Sequence, residues 1–458
     1  MKRPGHLVLK LRPGCAVGRL PSHLDILAGA GRPANEIDRG GRIDRTLSRH
    51  VDAFRASCVF HSRRSLGRIG EQSTRFDDLE EDLGLSRTVA VVLSDPGRSE
   101  AVVQALRDLD GVESAAVQTL AQAPLDAGAP PRPIRITTRK VWEPHERVGA
   151  PEALSMEAGD RRTITAAVDT GVALGHPEFQ GKLWVGFDTV DLGMGLVGGV
   201  RLFGDSSGRD FKPADLVGHG TQVAGVIGAR GEKLPPGLAG RSPVMPLRVL
   251  AAARVVENGK LVGVGGLIDI DLGIKVALDI GAKVLNLSFG TPASALDDGA
   301  PRPHADIMRY AMARGAVLVA AAGNSGEEED FYPAALPEAI AVGSVDAEGR
   351  RSKFSTYGDH IALCAPGECI VSTGLSGYRQ SSGTSFAAPF VTGVAALLVS
   401  RAKKAGQDLD GRAVKRLLTE SATPLTGGVN PETGHGLLDG PGALRRLDEA
   451  LAARTMEA

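Results

Sequence analysis

Ser385, His219 and Asp169 supply between them a nucleophile, a base and a carboxylate, each at the edge of a regular element. Ser385 lies in Gly383-Thr384-Ser385-Phe386-Ala387-Ala388-Pro389, ahead of an apolar run over residues 390–398 that reads as a helix buried on every side. Pro389 is expected in the first turn, where amides have no partner within the helix. A serine there adjoins unpaired N–H groups at the positive end of the helix dipole, where developing negative charge is stabilised. Taken alone, a Gly-Thr-Ser tripeptide marks a turn as readily as a nucleophile. Asp169 ends a short buried-strand run, residues 163–168, and leads into Thr170-Gly171. The carboxyl end of a parallel strand is where open α/β sheets bind their ligands. His219 is flanked by Gly218 and Gly220, and the helix after it carries Gly225 and Gly228 for close packing. Gly434-His435-Gly436 has the same flanks but no helix of small residues behind it, and reads as structural.

Asp, His and Ser in that chain order form a nucleophile, its base and the carboxylate that orients the base. Three blocks surround them: Val168-Asp169-Thr170-Gly171-Val172 with His176-Pro177-Glu178-Phe179, Gly218-His219-Gly220-Thr221, and Gly383-Thr384-Ser385 with Pro389. Over roughly residues 142–447 the chain resembles the subtilisin-like serine peptidases, the subtilases. The resemblance implies an α/β fold, a doubly wound and mainly parallel sheet with a smaller α+β N-terminal domain. It implies a serine endopeptidase acting on polypeptide substrates through an acyl-enzyme, with Asp169, His219 and Ser385 catalytic.

The same resemblance gives Asn324, in Gly323-Asn324-Ser325-Gly326 after the apolar run 315–322, the role of oxyanion donor beside the Ser385 amide. Outside this company an asparagine near glycine is an ordinary turn residue. Leu287, Ser288, Phe289 and Gly290 match a segment that pairs with substrate main chain and walls the specificity pocket. Ala321, Ala322 and Gly323 are expected to bind substrate as well. Phe331, in Phe331-Tyr332-Pro333, falls toward the bottom of that pocket and implies small residues before the scissile bond. The neighbouring Glu327-Glu328-Glu329-Asp330 run points instead to basic substrates, or is a solvated loop. Gln222 and Phe386 replace the commoner histidine and methionine without touching proton transfer. An α/β-hydrolase would need Ser before Asp before His and a Gly-x-Ser-x-Gly elbow, which Gly383-Thr384-Ser385-Phe386-Ala387 is not.

At 458 residues the chain exceeds one average domain. Its 53 Lys and Arg balance 54 Asp and Glu, so no nucleic acid and no anionic membrane is expected as partner. No stretch reaches the roughly 18 apolar residues of a membrane span. Residues 6–12 are too short and too charged for a secretory signal core, which favours a cytoplasmic setting. The cysteines (Cys15, Cys58, Cys364, Cys369) fit a reducing compartment; Cys364 and Cys369, close enough in sequence to bridge a turn, are read instead as reduced core thiols. The chemistry requires no cofactor; structural Ca²⁺, frequent in the resembling family, finds no local ligand motif.

From residue 163 onward β and α patterns alternate, with no internal repeat. The pattern predicts a strand over 244–250, a turn at Gly263-Val264-Gly265-Gly266, a helix over 267–280 and closing helices over 412–418 and 443–452. The glycine cluster lacks the downstream Gly-Lys-Ser/Thr of a phosphate loop. Residues 1–122 are organised differently. A strand over 88–93, a helix opened by Ser99-Glu100 and a strand over 111–117 make a β-α-β unit at 88–117. Residues 7–11 read as another strand and 47–59 as a helix, while 13–85 as a whole has no assigned task. The unit is similar to subtilase inhibitory propeptides, implying that the N-terminal region is an intramolecular inhibitor. The competing reading is a partner-sensing regulatory region, with the peptidase silent until that region binds a ligand. Residues 123–141, dense in Pro, Ala and Gly, read as a linker to a catalytic domain at 142–447, and 448–458 as a tail.

Overall fold

Six apolar runs too short for helices, Ile164–Asp169, Val244–Arg248, Ala282–Leu287, Val317–Ala321, Ala339–Val345 and Ile361–Pro366, are buried almost throughout. Strands of this kind need both faces covered, which a parallel sheet between helical layers provides. In the computed structural model, which describes all residues except 16, 17, 19, 66–75, 125–131, 137, 138, 208–211, 298 and 458, they form that sheet. Its order is 361–366, 339–345, 317–321, 282–287, 164–169, 244–248 and Phe187–Asp188, with every neighbouring pair parallel. Helix His219–Gly228 packs with Thr384–Lys404, and Leu267–Ile280 with Ala305–Ala313, giving the doubly wound α/β architecture. Thr384–Lys404 is also the one described helix long and apolar enough to cross a membrane by composition, and it is enclosed by the rest of the chain.

The N-terminal region builds a second unit from β1 (Lys2–Leu11), helix Arg42–His50, β2 (Phe54–Cys58), β3 (Thr88–Leu93), helix Ser99–Arg107 and β4 (Val112–Pro124). The strands lie in the order β2-β3-β1-β4, all antiparallel, a split β-α-β-β-α-β arrangement. The helix expected over 47–59 ends at His50. Beyond it Phe54 and Ala56 are buried and Arg55 is exposed, the period-two pattern of a strand that then pairs with β3.

β4 is long enough to belong to two sheets at once. Its first part pairs with β1, and residues 120–124 pair antiparallel with Leu261–Gly266, joining the N-terminal strands to a side sheet of the larger α/β unit. The expected turn at Gly263-Val264-Gly265-Gly266 is therefore a strand. Its glycines permit contact too close for side chains: a Cβ at Gly263 would lie 2.5 Å from Thr170 Cγ2, and one at Gly265 would lie 2.4 Å from the Val249 carbonyl oxygen.

The remaining boundaries also shift. Helix Gly440–Glu457 runs straight through the expected tail, with Asp448 2.9 Å from Arg401. Of the expected linker, residues 123 and 124 belong to β4, and Arg132–Ile134 pairs with Tyr378–Ser381; residues 125–131, 137 and 138 lie outside the described residues. All four thiols are free. Cys364 is buried as expected, whereas Cys369 is exposed on a turn at φ +56°, outside the core.

Candidate active site

Asp169 ends its strand beside Val244–Arg248, whose continuation donates the Val249 amide to the Asp169 carbonyl at 2.8 Å. Its fully buried carboxylate accepts the Thr170 amide and meets His219 Nδ1, each at 2.7 Å. Gly218, at φ +97°, occupies the left-handed region that glycine tolerates, and His219 then opens its helix. A Cβ at Gly220 would lie 3.1 Å from Asp169 Oδ1, so glycine is what lets carboxylate and imidazole meet. With Nδ1–H donated to Asp169, Nε2 is left as an acceptor, and it has no partner.

Sequence reasoning missed Asp215. Its buried carboxylate accepts the Thr170 hydroxyl at 2.9 Å, the Val217 and Gly218 amides at 2.8 Å, and the amide and hydroxyl of Thr221 at 2.9 and 2.6 Å. Burial pushes its pKa up, against the hydrogen bonds from Gly218 and Thr221. One side chain thus ties the turn after Asp169 to the helix that begins at His219. The available signal was an acidic residue just before a helix start, where it satisfies first-turn amides.

The helix carrying Ser385 begins at Thr384, which places Pro389 in its second turn rather than the first. Proline there removes the hydrogen bond that Ser385 O would accept four residues on. Ser288 Oγ donates to that carbonyl instead, at 3.0 Å. In return Ser385 Oγ donates to Ser288 O at 3.2 Å, so in this state its hydrogen is not directed at His219. Asn324, half-buried, accepts the Thr384 amide on Oδ1 at 2.9 Å, leaving its Nδ2 toward the helix start, 3.5 Å from where a Gly383 Cβ would stand.

A cavity of about 330 Å³ opens beside Ser385, and Ser288, Phe289, Gly290, Ala321, Gly323, Asn324 and Phe331 line it. Leu287 and Ala322 are not among its walls; both are fully buried in the main core. The Phe331 ring crosses between the two walls: a Cβ at Gly290 would lie 2.3 Å from its Cε1, and one at Gly323 2.9 Å from its Cγ. The Tyr332-Pro333 bond is cis. Glu327, Glu328 and Asp330 are exposed, and Glu329 at the cavity edge accepts the Ser294 hydroxyl. Gln222 is occupied structurally, accepting the Ser381 hydroxyl at 3.0 Å. Among the described residues no group of three or more His, Cys, Asp or Glu is placed to hold a metal ion.

The cleft already contains a strand of this chain. Gln122 stands opposite Val264 on one side, and on the other it exchanges two hydrogen bonds with Gly290, each 3.0 Å. In an antiparallel ladder the next pair of this type is two residues on, at 124 and 288. Pro124 has no N–H to give Ser288 O, the carbonyl that takes the Ser385 hydroxyl. Further along, Arg132–Ile134 pairs with the strand ending at Ser381, so the chain is held on both sides of the site.

Residues 160–436 match the family model described as the subtilase family, peptidase S8. A thermophilic serine proteinase of Bacillus sp. (strain AK1) is 39% identical over 242 residues, 52% of this chain and 52% of that protein. Thermitase of Thermoactinomyces vulgaris is 38% identical over 261 residues, 57% of this chain and 82% of that protein. The crystal structure of a lanthipeptide protease covers 67% of this chain and 94% of its own with a TM-score of 0.55; at 23% identity it supports the fold alone. The chain belongs to the subtilase family, whose members are serine peptidases. The match spans about half the length of the first relative and four fifths of the second, and the family model leaves residues 1–159 unmatched.

Proposed function

We propose that this protein is a serine endopeptidase whose own N-terminal region restrains it by occupying the substrate cleft. Strand 120–124, seated between Leu261–Gly266 and Gly290 through main-chain hydrogen bonds, carries this reading. Such pairing is how an extended peptide is bound with little regard to its side chains. Ser385 attacks the peptide carbonyl, His219 Nε2 takes its proton and returns it to the leaving amine, and Asp169 holds the imidazole tautomer and stabilises its charged form. The Asn324 amide and the Ser385 N–H stabilise the oxyanion. Phe331 limits the residue before the scissile bond to small side chains. The groups on the chain suffice for acyl transfer without a cofactor.

The restrained state has a local cause. Ser288 O occupies the Ser385 hydroxyl because the docked strand brings a proline to the matching position. A substrate with an amide N–H there claims Ser288 O and releases the hydroxyl to turn to Nε2. Ser385→Ala is expected to lower casein hydrolysis by about 10⁶-fold, with His219→Ala and the double variant no worse, since such residues act as a unit. Undiminished hydrolysis in Ser385→Ala would overturn the assignment.

A further inference from the structure

We propose that the N-terminal region is an anchor that stays docked, joined to a separate plug, residues 120–124, that an extended polypeptide displaces alone. This rests on the restraint described above and specifies how it is released. Described parts of the segments that interrupt the split β-α-β-β-α-β unit meet the catalytic part chiefly at one helix, Leu267–Ile280. From the short helix His23–Leu27, Leu24 and Leu27 pack on Leu272 and Val276. Val59, Phe60 and Leu85 join the main catalytic core.

Between these apolar contacts lies a buried polar network. The Glu80 carboxylate, fully buried, accepts the Arg63 and Asp77 amides at 2.9 and 2.8 Å and Lys275 Nζ at 2.6 Å. Lys275 also reaches Asp279 at 2.6 Å, Asp279 accepts the Tyr310 hydroxyl at 2.6 Å, and His61 Nε2 lies 3.1 Å from the same carboxylate. Arg314 pairs with Asp77. Helix Leu267–Ile280 therefore has apolar or paired groups all round, with Lys275 fully buried. Such a helix requires cover on every side. The N-terminal region supplies that cover, so removing it uncovers Leu272, Val276 and a lysine at once. A removable plug needs none of this.

The plug is held differently. Its hydrogen bonds to Leu261–Gly266 and Gly290 are main chain to main chain, and its buried side chains are few and apolar: Leu120 packs with Val262 and Val264, while Ala121 and Ala123 join the main core. The register between β1 and β4 is regular from Lys10 to Leu7 and shifts at both ends, between Lys10 and Leu11 and again before Lys2, the second shift lying opposite the point where β4 passes from anchor to plug. That second shift gives the last residues of β4 a place to bend while Val112 to Val117 stay paired.

The test uses the full chain with Ser385→Ala and a recognition sequence for an unrelated protease inserted within 125–131. After nicking, the two fragments are expected to co-elute in gel filtration at micromolar concentration. Lys275→Met, or Leu24→Asp with Leu27→Asp should the first variant not fold, is expected to separate them. In a chain that retains Ser385, Leu120→Asp with Ala123→Asp is expected to raise fluorophosphonate labelling at least about tenfold, the effect of a modest population shift, and to leave co-elution unchanged in the nicked form. Fragments of the otherwise unaltered chain eluting apart, or plug substitutions that separate them or leave labelling unchanged, would overturn the anchor-and-plug division. Absence of labelling in every form would instead sink the active-site assignment, with the co-elution result still deciding the anchor.

Discussion

The two halves of β4 lie on one continuous strand yet meet opposite kinds of surface. From Val112 to Val117 the partners are β1 and the helices of the N-terminal unit, with Val112, Ala115 and Val117 in a core beside Leu7, Leu9 and Leu11. From Leu120 to Pro124 the partners are a glycine-bearing strand and Gly290, hydrogen-bonded through the backbone, with the apolar side chains of Leu120, Ala121 and Ala123 buried beside them. Side-chain packing of the first kind is specific to its sequence, and main-chain pairing of the second kind is available to any extended peptide. One strand thus carries a contact a substrate cannot imitate and another that it can. The contrast shows how inhibition and permanent attachment are built into the same element without conflict.

Substitutions on the cleft side test the half that imitates substrate. Asn324→Leu is expected to lower kcat by about 10²–10³-fold with KM nearly unchanged, because its amide acts on the transition state. A change confined to KM would make Asn324 a binder of ground-state peptide, and of the plug with it. In a series of peptides differing only before the scissile bond, alanine is expected to be preferred to phenylalanine by about 10–200-fold in kcat/KM, the range that hydrophobic pockets attain. Phe331→Gly should abolish that preference by reopening the gap between Gly290 and Gly323; a preference that survives would place the size limit elsewhere.

The anchor side responds to pH, and more weakly. Burial, the largest influence, and Lys275 lower the His61 pKa from its ordinary 6.5, opposed by Asp279 and Glu80. Docking buries a neutral imidazole that is free to charge once undocked. Its contribution is therefore complete above 6.5 and declines as the pH falls below it. Co-elution of nicked fragments at rising dilution, compared above and below that pH, measures the effect; weaker association at the higher pH would reverse the sign argued here.

Much of the site was legible in the sequence because its chemistry demands residue types at the ends of local elements. Asp169 sits where a strand ends, His219 and Ser385 where a loop becomes a helix, and Asn324 follows a buried strand. What escaped was tertiary. Asp215 gathers amides at the start of the His219 helix and a hydroxyl from the turn after Asp169. Pro389 was placed one turn early, so the exchange of hydrogen bonds between Ser288 and Ser385 was invisible. Gly263 to Gly266 lacks the side-chain pattern that marks a strand, since its neighbours on both sides demand empty space. Residues 13–85 had no readable task because their partners, Leu272, Lys275 and Asp279, lie some two hundred residues away, on a helix whose all-round burial is itself the signal.

The most direct test of the central claim, that the chain's own strand lies in the cleft as a substrate would, is the intact mass of purified wild type followed over time beside Ser385→Ala. Continuing the register from Gln122 opposite Gly290 sets Pro124 opposite Ser288, whose carbonyl takes the Ser385 hydroxyl. Wild type is expected to yield an N-terminal fragment ending at Pro124, slowly because proline gives Ser288 O no hydrogen bond, while Ser385→Ala stays whole. Cleavage at the same bond in Ser385→Ala, a cut away from the cleft strand, or an uncut wild type that is fully active would contradict it.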